Sequence, residues 1–449
     1  MTFSARTASW LLLIGLVIAR ASTLSAHPLQ AEPINHPYVF AFDLFHLPVD
    51  DDESLLPGGL LLMAETNCLA CHSASKAWTQ RLATRPGPDL RNVGARLDAD
   101  TIWLIVRSPQ HRKKGTLMPG QFSGEDGDAE KVEALTQYLI TLKQPVKPMP
   151  AGDAARGKSL YHTVGCVACH EPAKDYRPAS VPADHDVEAP GNASVPIAFA
   201  DAYELNSLGR FLHDPLATHP AGRMPSQRLS EREAADIAAY LHVGRTAEVA
   251  QERSILKLPP QSPETGRTLF AEMRCNACHT TGEEPQPTRL AAPLAKLTND
   301  HGCLAEAPPA GAPRFDFNAL QRRALGLALK HVQHHEPAPL NAPERLDWQM
   351  RRLNCYACHD RDGRGGPEDA RIQYFAPANA AEENDKLPPT LDGVGARLSA
   401  DELHRVLHGD HRATRPSLLV RMPNFGEANT TPLPADLIAT DKDAATAPK

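Results

Sequence analysis

The stretch Cys68-Leu-Ala-Cys71-His72 places two cysteines three positions apart and a histidine directly after the second. The same spacing returns three times, in Cys166-Val-Ala-Cys169-His170, Cys275-Asn-Ala-Cys278-His279 and Cys355-Tyr-Ala-Cys358-His359. With 9 cysteines and 20 histidines in 449 residues, chance would produce roughly 0.008 such pentapeptides per chain. Four copies therefore point to one chemistry used four times.

Two thiols on one short turn can form thioether bonds with the two vinyl groups of a haem, and the adjoining imidazole can then bind the iron. A zinc site or a redox-active cysteine pair gives no reason for a histidine after the second cysteine in all four copies. The sequence therefore predicts four haem c groups, each with its iron, attached through the eight cysteines of the motifs. The predicted proximal ligands are His72, His170, His279 and His359.

Chain length and charge limit the remaining possibilities. At roughly 100–150 residues per domain, 449 residues predict three or four domains. The formal net charge is -7, and no clustered basic surface is apparent, which argues against nucleic acid as a partner.

The first 26 residues have the layout of a secretory signal peptide. Arg6 precedes an apolar run at 10–19, and small residues follow up to Ala26. We expect residues 1–26 to be a signal peptide and the protein to be periplasmic or otherwise extracytoplasmic. The alternative is an uncleaved membrane anchor, the one route to membrane association that the sequence offers.

The motifs recur about every 100 residues, and a similar pattern surrounds each. A glycine nine residues before the first cysteine and a large apolar residue five before it would share one helix face and contact a second helix. The glycines are Gly59, Gly157 and Gly266, with Leu346 in the fourth copy, and the apolar residues are Met63, Tyr161, Phe270 and Met350. Second helices are predicted at 129–143, with Tyr138, and at 230–242, with Tyr240.

These features resemble the class I cytochrome c family, over nearly all of the chain after the signal. In that family two terminal helices cross beside a haem, which is held by the cysteine motif and by a distal methionine from a later loop. The resemblance implies an all-α fold, a tandem array of four cytochrome c-like helical domains joined by Pro-rich linkers such as 144–150 and 256–263. The expected modules one to four are residues 27–147, 152–246, 260–336 and 340–449.

The family also has a proline-containing loop over the proximal histidine. Taken in chain order, one for each module, the candidates are Pro88, Pro196, Pro293 and Pro389. Residues 87–97 (Gly-Pro-Asp-Leu-Arg-Asn-Val-Gly-Ala-Arg-Leu) are echoed at 388–398 (Pro-Pro-Thr-Leu-Asp-Gly-Val-Gly-Ala-Arg-Leu). Modules one and four are therefore internal relatives.

A distal methionine should precede a proline downstream of each histidine, and three do so. Met118-Pro119, Met224-Pro225 and Met422-Pro423 are the predicted distal ligands. In module three Ala312 stands at this position, and alanine cannot bind iron. The third haem is therefore expected to have an open iron, or His301, Cys303 or another residue as its ligand.

Module four departs from the pattern at its end. Few residues follow Met422, and Pro432 and Pro434 suggest that its closing helix is short, near 436–440, or absent. Either other residues, such as the apolar stretch 38–47, complete this module, or an exposed edge docks a redox partner.

The leading functional hypothesis is an electron carrier or conduit, which receives electrons from one redox protein and passes them to another. The alternative is a haem enzyme in which an open haem three acts on peroxide or another small molecule and the other haems relay electrons. A gas sensor ranks last, because no signalling segment is apparent.

Overall fold

The computed structural model describes residues 34–46, 51–191, 194–195, 197, 200, 202–242, 261–282, 291–375, 387–409 and 418–446. The predicted signal peptide and most of the linker 256–263 lie outside these ranges. The described residues are helical apart from connecting segments and one small antiparallel hairpin, Asp360–Arg361 with Arg364–Gly365. Within these ranges, no helix has the length and apolar character that a membrane span requires.

Eight helices carry the architecture. The four that precede the cysteine motifs, here called opening helices one to four, are Asp52–Glu65, Ala154–Thr163, Pro263–Glu272 and Ala342–Arg352. The four that end the repeated units, here called closing helices one to four, are Asp128–Thr141, Glu231–Leu241, Ala319–His334 and Leu433–Thr446. The shorter α-helices are Phe40–His46, Cys68–Cys71, Lys76–Arg81, Val93–Arg96, Ala99–Arg107, Pro109–Arg112, Leu205–His213, Asp369–Ile372, Val394–Arg397, Ala400–His408 and Glu427–Thr430. Single 3-10 turns are Cys166–Ala168, Pro215–Ala217, Cys275–Ala277, Leu294–Lys296, Gly302–Leu304 and Cys355–Ala357.

Helix starts follow from local sequence. Ser230 accepts a hydrogen bond from the backbone of Glu233, whose side chain accepts one from the backbone of Ser230. The same reciprocal capping box starts closing helix three at Asn318 and opening helix four at Asn341. Each box satisfies amide groups that the first turn leaves without partners.

Opening helix two crosses closing helix two at Gly157. A β-carbon at Gly157 would stand 1.8 Å from the carbonyl oxygen of Asp236, so only glycine permits this approach. On the same face the rings of Tyr161 and Tyr240 have centroids 5.6 Å apart. Module two therefore closes on itself, as its sequence pattern predicts.

Modules one and three do not close on themselves. Opening helix one packs on closing helix three, where a β-carbon at Gly59 would stand 2.0 Å from the oxygen of Ala324. Opening helix three packs on closing helix one, with the same 2.0 Å approach between Gly266 and the oxygen of Ala134. This exchange corrects the prediction that residues 27–147 and 260–336 are each self-contained. Because the contact pattern is the same in each opening helix, it does not specify which closing helix is the partner.

Module four has a full closing helix, so the prediction that this helix is short or absent is wrong. Pro434 is the second residue of Leu433–Thr446, and the first turn of a helix tolerates proline because its N–H groups have no helical partner. Leu433 and Leu437 are buried in the fourth core. Phe45, from the predicted apolar stretch 38–47, contributes as well, because its ring meets that of Tyr356 edge-on at 5.2 Å.

The linker 144–150 lies against module two. Lys147 and Pro148 accept hydrogen bonds from Arg210 through their carbonyl oxygens, at 2.9 and 2.7 Å. The Met149 side chain lies beside Gly209, where a β-carbon would stand 3.1 Å from it. These contacts fix the path of the linker between closing helix one and opening helix two.

Substituting Gly157 by alanine should destabilise the crossing of opening and closing helices two. The added carbon would meet a backbone carbonyl that no rotamer change can move, and overpacking of this kind costs about 1–3 kcal/mol. A lower urea midpoint, followed by far-ultraviolet circular dichroism, would report this loss. Ser159→Ala, at an exposed position of the same helix, is the matched control. Equal midpoints for the two variants would contradict the prediction.

Candidate haem sites

The four cysteine motifs share one backbone geometry. Each forms a single helical turn in which the histidine N–H donates to the carbonyl of the first cysteine, at 2.9–3.0 Å. The residue before each turn has positive φ, and these residues are Asn67, Gly165, Arg274 and Asn354. One turn therefore brings two thiols and an imidazole together, as attachment to a haem requires.

In all four motifs Nδ1 of the histidine contacts a backbone carbonyl. The pairs are His72 with Ala292 at 2.6 Å, His170 with Val195 at 2.8 Å, His279 with Pro88 at 2.8 Å and His359 with Pro389 at 2.7 Å. Since a carbonyl only accepts, Nδ1 carries the proton and Nε2 keeps the lone pair that a metal ligand needs.

The proline loops are exchanged in the same way as the closing helices. The sequence assigned Pro88 to His72 and Pro293 to His279, whereas the structure pairs His279 with the first loop and His72 with the third. Backbone bonds reinforce the pairing, because Gly87 N donates to Cys278 O at 2.7 Å and Leu294 N donates to Ser73 O at 2.9 Å. Two of the four sites are therefore each built from both halves of the chain.

Electrostatics favour neutral groups in these motifs. Burial lowers the pKa of His170 and of His279, which favours the neutral imidazole that ligates iron. Burial raises the pKa of Cys166, Cys275 and Cys355 to about 12, which disfavours the thiolates that a zinc site would use. All nine cysteines lie within the described residues and none is in a disulfide. Across those residues there is also no cluster of three or more histidine, cysteine or carboxylate side chains suited to a metal ion.

The four predicted distal positions pair across two short antiparallel bridges. Gly120 and Arg314 exchange two backbone hydrogen bonds of 2.8 Å, and Ser226 and Asn424 exchange bonds of 2.9 and 2.8 Å. Each bridge residue lies two positions after one of the four predicted distal positions. In the same order as the bridge residues, these positions are Met118, Ala312, Met224 and Met422. Ala312 thus stands in structural register with the three methionines.

Two of the three predicted distal methionines pack against an apolar core that also contains a motif cysteine. Met224 packs against the same apolar core as Cys169, and Met422 against the same core as Cys355. Met118 is partly buried, and its N–H donates to Thr116 Oγ1 at 3.2 Å.

His301 and Cys303, the two other ligands considered for the haem without methionine, are placed differently. The His301 side chain is 80% exposed, with Nδ1 2.8 Å from Asp300 Oδ1, so the structure gives no support to its prediction as an iron ligand. Burial raises the pKa of Cys68 to about 12, with Cys303 as the next cause, so Cys303 lies near the first motif.

The motifs lie in pairs. Asn67 Nδ2 lies 3.9 Å from Cys278 Sγ, and Arg274 donates to Ala70 O at 3.3 Å, which joins motifs one and three. Arg371, which follows motif four, donates to His170 O at 3.2 Å. Burial raises the pKa of Cys358, with Cys169 as the next cause, so motifs two and four are also neighbours.

Several buried donor atoms suit the acidic edge of a haem. Trp103 Nε1 has no hydrogen-bond partner among the described residues although Trp103 is 1% exposed. Arg96 Nε and Arg274 Nε are also buried and have no hydrogen-bond partner among the described residues. A buried donor without a partner is costly, and a haem propionate is a carboxylate that would accept from it. The residues present therefore fit a haem group.

Sequence reasoning missed a buried charge cluster that joins several modules. Glu65, 4% exposed, contacts Arg85 at 3.0 Å, Arg352 at 2.8 Å and Arg223 at 3.3 Å. These arginines come from module one, opening helix four and the position before Met224. No short motif signals such a cluster, because its members are distant in sequence.

Residues 154–243 match the family model described as Cytochrome c. The match spans opening helix two, its motif, Met224 and closing helix two. No match was found among curated proteins or among solved structures. The chain therefore contains a cytochrome c domain at 154–243, which supports a c-type cytochrome that binds haem covalently and transfers electrons.

Proposed function

We propose that the protein is an exported tetrahaem c-type cytochrome that transfers electrons between extracytoplasmic redox partner proteins. The observation that carries the proposal is the repetition of one geometry at all four motifs, each with a helical turn and an Nδ1–carbonyl contact. One of the four lies in the matched cytochrome c domain, and its likeness to the other three supports assigning them the same chemistry.

The pairing of the motifs supports a conduit in preference to four independent carriers. Motifs one and three are in contact, motifs two and four are neighbours bridged by Arg371, and the Glu65 cluster links parts of both pairs. Electrons entering at one haem would therefore have a neighbouring haem to pass to. Methionine as the distal ligand raises the reduction potential of a haem relative to histidine.

The proposal predicts four covalently bound haems per chain. Intact-protein mass and the absorption of the alkaline pyridine complex should both give four. Replacing both cysteines of any one motif by serine should leave three. A wild-type count below four would overturn the tetrahaem proposal. The mass of protein isolated from the periplasm should also show that residues 1–26 have been removed.

A second candidate function is that of a haem enzyme, and the observation that favours it is Ala312 in register with the methionines. A haem without a methionine ligand can offer its iron to a small molecule such as peroxide. A high-spin ferric signal and peroxide-dependent oxidation of a reduced partner would support the enzyme. Four low-spin signals with electron exchange alone would support the carrier.

A further inference from the structure

We propose that Met118 is the distal ligand of the iron held by His279, and that the iron held by His72 is the one that faces Ala312. The inference rests on the proposed function, because it concerns bound haem. The haem without a methionine ligand, here called the atypical haem, is thereby assigned to the first attachment motif. Chain order would assign it to the third.

The proximal sides establish which segment covers each histidine. Residues 87–90 cover motif three, where Pro88 O accepts from His279 Nδ1 at 2.8 Å and Leu90 N donates to Thr280 O at 2.9 Å. Residues 292–294 cover motif one through Ala292 O and Leu294 N. In the second module, which is not exchanged, one continuous segment provides the loop at Val195, then Met224, then the closing helix.

The helix crossings lead to the same assignment. Closing helix one, which follows Met118, packs on opening helix three, and Tyr138 meets Phe270 at a centroid distance of 5.8 Å. The Tyr138 hydroxyl also donates to Thr281 Oγ1 at 3.1 Å, two residues beyond His279. Both ends of the segment that contains Met118 are thus attached to motif three.

Apolar packing around Met118 and Ala312 agrees with this exchange. Phe122, four residues after Met118, packs in the same core as Cys275. Leu304 and Phe315, on either side of Ala312, pack in the same core as Cys68 and Leu69. Leu117, directly before Met118, also packs against the core that contains Cys68. Module four shows a parallel, because Val420, two residues before Met422, packs against the core of module two. A haem bound at His72 would therefore face an apolar segment that contains Ala312.

Two attachment variants distinguish the exchanged arrangement from the linear one. In Cys68→Ser/Cys71→Ser the exchanged arrangement leaves three low-spin His/Met haems and removes the atypical haem from the electron paramagnetic resonance spectrum. In Cys275→Ser/Cys278→Ser it leaves two His/Met haems and the atypical one. The reverse pattern would overturn the inference while leaving the tetrahaem proposal intact.

A milder pair keeps every thioether bond in case the attachment variants do not fold. His72→Gly and His279→Gly, in buffer without imidazole, should retain three and two His/Met signals respectively, because only the second removes the proximal partner of a methionine. The matched control His170→Gly should retain two in either arrangement. Met118→Leu with methyl-labelled methionine identifies the Met118 resonance, whose haem-induced shift should persist in His72→Gly and change in His279→Gly. A shift that changes only in His72→Gly would contradict the assignment.

Discussion

Replacing Glu65 by glutamine should destabilise the protein by about 3–5 kcal/mol, the usual cost of removing one partner from a buried ion pair. The amide keeps the size of the carboxylate and removes its charge. Arg85, which is 7% exposed, and Arg352 would then lie buried without a counter-charge. Burial lowers the pKa of Arg85 to about 10, so this guanidinium stays protonated at neutral pH.

The pH dependence has a definite sign. Burial alone raises the pKa of Glu65, but Arg85, Arg223 and Arg352 outweigh it and bring the value to about 2. A carboxyl group with a lowered pKa in the folded state stabilises the fold above its unfolded value and loses that contribution as pH falls. The drop from 4.5 to about 2 corresponds to about 3 kcal/mol. This stabilisation should disappear between about pH 4.5 and pH 2.

Urea unfolding of wild type and Glu65→Gln between pH 2 and pH 7 measures both effects. We expect a large difference in midpoint at pH 7 that shrinks towards pH 2. Glu53→Gln is the matched control, because Glu53 is exposed on the same helix. A difference that stays constant with pH would contradict the role of the Glu65 charge.

Removing residues 432–449 should unfold the region around the fourth motif. Closing helix four buries Leu433 and Leu437, and each such side chain contributes about 1.5–3 kcal/mol. Its Asp441 accepts from Arg361 at 2.5 Å and from Gly395 N at 2.6 Å, both buried. Since Arg361 is 5% exposed, its charge would lose a buried partner. The total approaches the whole stability of a typical domain.

Limited proteolysis and redox spectroscopy would test the truncation. Residues 342–408 should become protease-sensitive, and one His/Met haem signal should be lost while the signal of the matched cytochrome c domain remains. Truncation after Thr446, which leaves the helix whole, is the control. A resistant, spectroscopically unchanged protein would show that module four needs no closing helix, as its sequence suggested.

Chemistry that depends on neighbouring residues could be predicted from the sequence. The turn at each cysteine motif and the glycine that allows two helices to cross appear in the structure at their predicted positions. Proline loops also lie over three predicted proximal histidines, but those of Pro88 and Pro293 are exchanged, and Pro196 lies outside the described residues. Even the alignment of Ala312 with the methionines is correct, because Met-Pro and Ala-Pro occupy equivalent places in the same bridge. The error about closing helix four came from treating Pro434 as a helix breaker, when its position in the first turn makes it harmless.

The sequence by itself determined an all-α chain with four CxxCH motifs, four predicted proximal histidines and three methionines in register. Only the tertiary structure decided which segment closes over which motif. Opening helices one and three present equivalent glycine and large apolar faces, so either closing helix satisfies the local pattern. The choice depends on contacts between residues far apart in sequence, such as Pro88 with His279 and Ala292 with His72. Such contacts produce no repeating pattern in the sequence, because nothing in the residues around either partner indicates the other.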